Sequence, residues 1–254
     1  MDYKPKDDET LTPFIRGKIK VIQSKTGYRF NIDSVLLAGF VNISNKKSKL
    51  LDLGTGSGIL ILLLSLKYKN LSFYGVELQE NLFSQAWRNL KINNINGQLF
   101  KGDIREIKKI FKRESIDYVV FNPPYHKPQP DTKHTEKNIA RFELESNIKD
   151  FIYAAEYVLK PNGKLFFIFP STRLSEIILI LLEKKIQPKR YRFVYPSLNE
   201  NSSHVLIEAV KYGNPSGEII EKPLVVYDKP DKKIYSPEVN FLLEKFYDEG
   251  ANNA

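Results

Sequence analysis

Between Lys49 and Phe121 the chain repeats one unit: a short continuous apolar run, a turn, then a longer segment of helical character. The run KLLDL precedes a glycine-rich turn and a helix over 58–69; a strand over 71–77 precedes a helix over 80–93. A strand over 97–101 precedes a short helix over 105–111, and a strand over 116–121 stops at Asn122. Strands that are apolar throughout, rather than at alternate residues, are buried on both faces. That is the condition of a parallel sheet covered by crossover helices, so the pattern predicts an α/β, doubly wound architecture.

The flanks extend this frame. A helix over 144–159, closed by Pro161-Asn162-Gly163, leads to a strand over 164–169 and a helix over 172–185. Two closely spaced strands, 189–195 and 203–211, read as a hairpin, which places one antiparallel strand at the edge of an otherwise mostly parallel sheet. Before the sheet, 18–23, a Ser-Lys-Thr-Gly turn and 28–32 read as a second hairpin. Asp33 or Ser34 can then cap the apolar helix SVLLAGF. The chain divides into a basic arm and helix (1–47), the sheet domain (48–211) and a C-terminal appendage (212–254).

The absence of Cys excludes disulfides, thiolate zinc sites and iron–sulfur clusters, and His126, His134 and His204 lack metal-ligand spacing. No apolar run reaches the ~18–20 residues of a membrane span, and the charged N-terminus is unlike a signal peptide, so a cytoplasmic protein without metal or membrane partner is expected. The net charge of +9 is compatible with a polyanionic partner, although thirty of the 39 basic residues are Lys, as an AT-rich genome would also produce. Its distribution says more than its total. Residues 16–29 carry five bases and 184–192 five more, neither with an acid.

Asp52-Leu53-Gly54-Thr55-Gly56-Ser57-Gly58 stands at a strand-to-helix junction, where glycines let backbone N–H groups approach a ligand. A dinucleotide fingerprint needs its third glycine where Ile59 stands, and the carboxylate of Asp52 would repel a pyrophosphate. A zwitterionic or cationic ligand carrying a ribose tolerates that acid. Glu77 and Asp103 end the next two strands, so three acids converge on one crevice, and Glu77 can accept both hydroxyl protons of an unphosphorylated ribose.

These features resemble the class I S-adenosylmethionine-dependent methyltransferases over 49–211. The resemblance implies a Rossmann-like, seven-stranded sheet with S-adenosylmethionine lying over Gly54, Thr55, Gly56 and Gly58. It places Asp52 near the methionine end, Glu77 on the ribose, and Asp103 with the Ile104 backbone on the adenine. Asn122-Pro123-Pro124-Tyr125 follows the fourth strand of that domain. Its prolines stiffen the backbone, its Asn carbonyl can accept hydrogens of an exocyclic amino group, and Tyr125 can stack on a planar target. The motif resembles that of methyltransferases acting on adenine N6, guanine N2 or a glutamine amide. An amine attacking a sulfonium needs no strong base, which leaves His126 without an assigned role.

The opening IKVIQSKTGYRFNIDSVLLAGF, with LDLGTGSG, NPPYHKP and SHVLIEAVK, is similar to the bacterial tRNA1(Val) adenine-37 N6-methyltransferases. That resemblance implies an anticodon-loop adenine in tRNA as acceptor, gripped by Lys18, Lys20, Lys25 and Arg29 of the arm and by Lys189, Arg190 and Arg192. Glutamine methylation in a release factor is the alternative. An RNA-binding module without activity and a nicotinamide oxidoreductase are disfavoured by the intact motif and by the missing third glycine.

Overall fold

The computed structural model describes residues 3–26, 31–44, 46–123 and 148–251. An N-terminal ribbon, β1 (Glu9–Phe14) and β2 (Ile19–Ser24), precedes helix α1 (Ile32–Phe40). Then come β3 (Ser48–Leu53), α2 (Ile59–Lys67), β4 (Leu71–Glu77), α3 (Glu80–Ile92), β5 (Gly97–Lys101), a 3₁₀ segment (Ile104–Lys109) and β6 (Ile116–Phe121). The chain continues through α4 (Ile148–Val158), β7 (Leu159–Pro170), α5 (Leu174–Glu183), β8 (Ile186–Tyr195) and β9 (His204–Lys211). Short strands β10 (Ile219–Ile220) and β11 (Leu224–Val225), a ribbon of β12 (Tyr227–Lys229) and β13 (Ile234–Tyr235), and helix α6 (Pro237–Ala251) end it.

The main sheet runs β5-β4-β3-β6-β7-β9-β8, with β10 and β11 both parallel to β8 on its outer side. The one antiparallel strand of the seven, β9, is bonded to β7 on one side and β8 on the other. Strand β3 lies between β4 and β6, so the winding direction reverses there. A crevice outside the carboxyl ends of β3 and β6 is the expected ligand position in such a sheet.

Side chains alternate across the sheet as the pleat requires. Leu50, Val120, Phe166, Ile168 and Leu206 enter one core with α1, α2 and α6, while Leu51, Val119, Phe121, Phe167 and Ile207 enter the other with α4 and α5. Helix α2 (ILILLLSLK) is apolar nearly all round because seven of its residues are buried. The arm and the tail share the first core: Val21 and Val35 come from one, Val239 and Phe246 from the other.

Two elements differ from expectation. Strand β2 pairs with the preceding β1, Glu9 opposite Ser24; most of the expected partner, 28–32, lies outside the described residues, and its last residue, Ile32, opens α1. The turn between β1 and β2 is Ile15-Arg16-Gly17, all left-handed, and Pro13 is tolerated because β1 is an edge strand. Helix α4 stops at Val158, and β7 already begins at Leu159; Asn162 adopts a φ of 62° inside the strand rather than closing the helix.

Candidate active site at the carboxyl edge of the sheet

Leaving β3, the chain turns through Gly54, Gly56 and Gly58 at φ of 67°, 57° and 85°, a sequence of left-handed conformations that side chains disfavour. The N–H groups of Gly54 and Thr55 both donate to the Val76 carbonyl, at 2.9 and 3.0 Å, which holds the turn against the end of β4. Glu77 completes the fastening. Its Oε2 accepts from the Gly56 N–H and its Oε1 from the Gln79 N–H, each at 2.8 Å. Burial pushes the Glu77 carboxyl above its ordinary range, opposed by those N–H groups and that of Leu78. Glu77 is therefore no solvated strand end.

Asp52 lies beneath the turn, opposite Gly75 of β4 and 1 % exposed. The Thr55 hydroxyl donates to its Oδ2 at 2.7 Å, whereas Oδ1 is buried with no hydrogen-bond partner among the described residues. Ser57 Oγ, in the same turn, is likewise buried and without a partner among them. Burial pushes the Asp52 carboxyl up to about 7; the Thr55 hydrogen bond opposes this and the Glu77 charge adds to it. A buried carboxyl oxygen without a donor, and a buried hydroxyl left unused in the same loop, are costly in an empty protein. They suit a ligand that brings positive charge and N–H donors.

Asp103 caps the 3₁₀ segment, its Oδ1 accepting from the Arg105 N–H at 2.9 Å, and the Arg105 guanidinium grips both carboxylate oxygens. That hydrogen-bonded pairing holds the Asp103 carboxyl below the usual range despite partial burial. The side chain of Ile104 is buried beside it. At the end of β6, Asn122 donates from Nδ2 to Ser34 Oγ on α1 at 3.1 Å, and Pro123 is buried. Pro124, Tyr125 and Arg29 lie outside the described residues. Thus Asp52, Glu77, Asp103 and Asn122 all stand at the carboxyl ends of β3 to β6.

Sequence reasoning overlooks several partners: Ser57 and Arg105 at this edge, and Ser34, which the sequence presents only as a helix cap. Asp33, next to Ser34, is pushed up by burial, opposed by the His204 charge and by the Asn31 amide, which donates to Asp33 Oδ2 at 2.6 Å. No local pattern announces the pairing of Ser34 with Asn122, because the two lie 88 residues apart in the chain.

The basic residues separate into two groups. Lys20 and Lys25 are exposed on the arm, Lys25 with its Nζ on the Asp7 carbonyl at 2.8 Å; Lys18 is half-buried. The cations of β8 are engaged by other parts of the chain. Arg190 pairs with Glu208 at 2.8 Å and Glu221 at 2.7 Å, donates to the Phe40 carbonyl and lies over the Phe40 ring. Arg192 pairs with Glu238 and donates to the Lys222 carbonyl, and Lys189 donates to the Ser216 carbonyl. These contacts tie the tail, β9 and the end of α1 to β8. Among the described residues no cluster of three His, Asp or Glu could hold a metal ion, and no helix is long and apolar enough to cross a membrane.

Known proteins are similar to this chain in sequence and fold. The methyltransferase small domain family matches residues 28–187. A tRNA1(Val) (adenine(37)-N6)-methyltransferase of Flavobacterium johnsoniae is 25% identical over 231 residues, covering 91% of this chain and 97% of its own. One from Histophilus somni is 27% identical over 244 residues, covering 92% and 96%. Among solved structures, a predicted O-methyltransferase from Agrobacterium tumefaciens superposes with a TM-score of 0.67 at 18% identity, covering 85% of this chain and 96% of that one. TYW2 of P. horikoshii, solved with MeSAdo, superposes at 0.58 and 14% identity, covering 82% and 73%. Together with the glycine turn and its ring of acids, these findings make the chain a class I S-adenosylmethionine-dependent methyltransferase that belongs to the methyltransferase small domain family.

Proposed function

We propose that the protein methylates the exocyclic N6 amino group of an adenine in tRNA, adenine 37 of tRNA1(Val), in the cytoplasm. The observation that carries this reading is the position of Asn122 and Pro123, directly after β6 and next to the glycine turn of β3. Similarity to the named adenine-N6 relatives runs through the arm and tail as well as the sheet, at 91% of the chain.

Bound S-adenosylmethionine supplies a methyl group already activated by its sulfonium. The protein's own residues provide position and electrostatics. Asp52 Oδ1 and Ser57 Oγ, the buried oxygens without partners among the described residues, take the cationic methionine end. Each Glu77 oxygen has a further lone pair for a ribose hydroxyl, and Asp103 with the Ile104 backbone reads the adenine ring. The glycine turn, Gly54 to Gly58, admits the ligand close to the backbone. Asn122 accepts hydrogens of the acceptor amine through Oδ1, together with the adjacent backbone carbonyl, and so aims the nitrogen lone pair. Pro124 stiffens that segment and Tyr125 stacks on the base, which must leave the anticodon-loop stack to reach them. Lys18, Lys20, Lys25 and Arg29 contact phosphates.

Incubation with labelled S-adenosylmethionine and either total tRNA or a release factor tests the assignment. Label in N6-methyladenosine of tRNA is expected. Label in a protein glutamine, with tRNA unmodified, would overturn it. Asn122→Ala should abolish transfer while cofactor binding persists; loss of both together would make the motif structural.

A further inference from the structure

An aligning amide must itself be held. Asn122 is the last residue before a segment stiffened by proline, and its side chain reaches α1, 88 residues earlier in the chain: Nδ2 donates to Ser34 Oγ at 3.1 Å. Ser34 is 1 % exposed and stands in the first turn of a helix whose Val35, Leu36, Leu37 and Ala38 are all buried. That helix cannot shift easily. It packs between α2 and α6, and Arg190 grips its terminal Phe40 carbonyl at 2.7 Å.

We propose that Ser34 is a positioning residue for methyl transfer. By taking the NH₂ end of the Asn122 amide it turns Oδ1 to the opposite side, toward the acceptor amine. The inference rests on the reading of Asn122 given above and deepens it: the arm helix contributes to alignment at the reacting centre as well as to the core. Ser34 touches neither methyl donor nor base, so its effect is on geometry, where misplacement of about 1 Å is worth up to ~100-fold in rate.

The test uses full-length Ser34→Ala, a change that favours the helix intrinsically and removes the hydroxyl that accepts from Asn122. Single-turnover methylation, cofactor affinity and tRNA affinity are measured for the wild type, Ser34→Ala, Ser34→Thr and Asn122→Ala. The expected result is a roughly tenfold or greater fall in the single-turnover rate of Ser34→Ala, equivalent to about 1.4 kcal/mol. Both affinities should stay within about twofold, and Ser34→Thr, which keeps the hydroxyl, should be faster than Ser34→Ala. A wild-type rate in Ser34→Ala, with Asn122→Ala inactive, overturns the role of Ser34 and leaves that of Asn122. An active Asn122→Ala overturns the underlying reading. A slow Ser34→Ala whose affinities fall in proportion shows a structural role only and also overturns the proposal.

Discussion

Replacing Asp52 by Asn should make the unliganded protein less sensitive to alkaline pH and, at the same time, a poorer binder of its methyl donor. Asp52 is 1 % exposed, with one carboxyl oxygen buried and without a partner among the described residues. Its pKa is raised from 3.8 to about 7, chiefly by burial. A carboxyl raised in this way favours the fold when protonated. The contribution is complete below the unfolded value, 3.8, and is lost as pH rises through about 7. At 1.36 kcal/mol per unit, ionisation costs the empty fold about 4 kcal/mol above that range. Roughly 2.5 kcal/mol of this falls between pH 5 and pH 8.

The amide introduced by Asp52→Asn would not titrate. Its NH₂ group would occupy the place of an oxygen that has no partner among the described residues, at a constant cost of about 1–3 kcal/mol. The level of stability therefore mixes two effects, whereas its pH dependence isolates the carboxyl. Urea unfolding of unliganded wild type and Asp52→Asn at pH 5 and pH 8 should show the difference moving toward the variant by about 2.5 kcal/mol. A difference independent of pH would refute the reasoning. Calorimetric titration with S-adenosylmethionine at pH 8 should show about thirtyfold weaker binding to the variant, near 2 kcal/mol for a desolvated charge partner. Equal affinities would mean that Asp52 does not face the cationic end.

Arg190→Ala should cost about 2 kcal/mol in denaturant unfolding, because it removes the cation that Glu208 and Glu221 share and leaves Glu208 to Lys164 and Glu221 to Arg192; unchanged stability with weaker tRNA binding would place Arg190 on the RNA surface. Removing Lys20 and Lys25 together should lower the slope of log affinity for tRNA against log salt by about 1.5 to 2 in filter binding, and an unchanged slope would remove the arm from the interface. Glu9→Ala should destabilise the fold by about 3 kcal/mol. It leaves the Arg88 guanidinium buried without the carboxylate that it meets at 2.6 Å, and an unfolding midpoint equal to wild type would show that the arm is held by other means.

The strands 71–77, 97–101 and 116–121 are legible to the residue, because an apolar run stopped by a polar residue or glycine can do little else in a parallel sheet. The carboxyl-edge residues Asp52, Glu77, Asp103 and Asn122 are legible for the same reason: where a strand stops dictates what stands at the crevice. Strand β1 is not. Its sequence, ETLTPF, carries an acid and a proline and reads as a charged tail. What makes it a strand is remote: Glu9 meets Arg88 at 2.6 Å, and Asn89 exchanges hydrogen bonds with Ile22. Helix α3 buries Gln85, Arg88 and Asn89, polar residues that a pattern of apolar periodicity assigns to solvent.

Arg190 and Ser34 show the limit from opposite directions. A run of cations without local acids suggests a phosphate-binding face, yet the acids that neutralise Arg190 and Arg192 arrive from β9, from the segment before β11 and from α6. A serine at the start of a helix suggests a cap, yet Ser34 makes its cross-chain hydrogen bond to the residue that the proposed chemistry most needs aligned. In both cases the residue type and its sequence neighbours point to a plausible role, and the partner decides the actual one. A buried or half-buried polar group must find a partner somewhere, and a doubly wound fold supplies it from whichever strand or helix lies next to it in space. The backbone edge can be placed from periodicity alone; the pairing of polar side chains across it depends on which elements the topology makes neighbours.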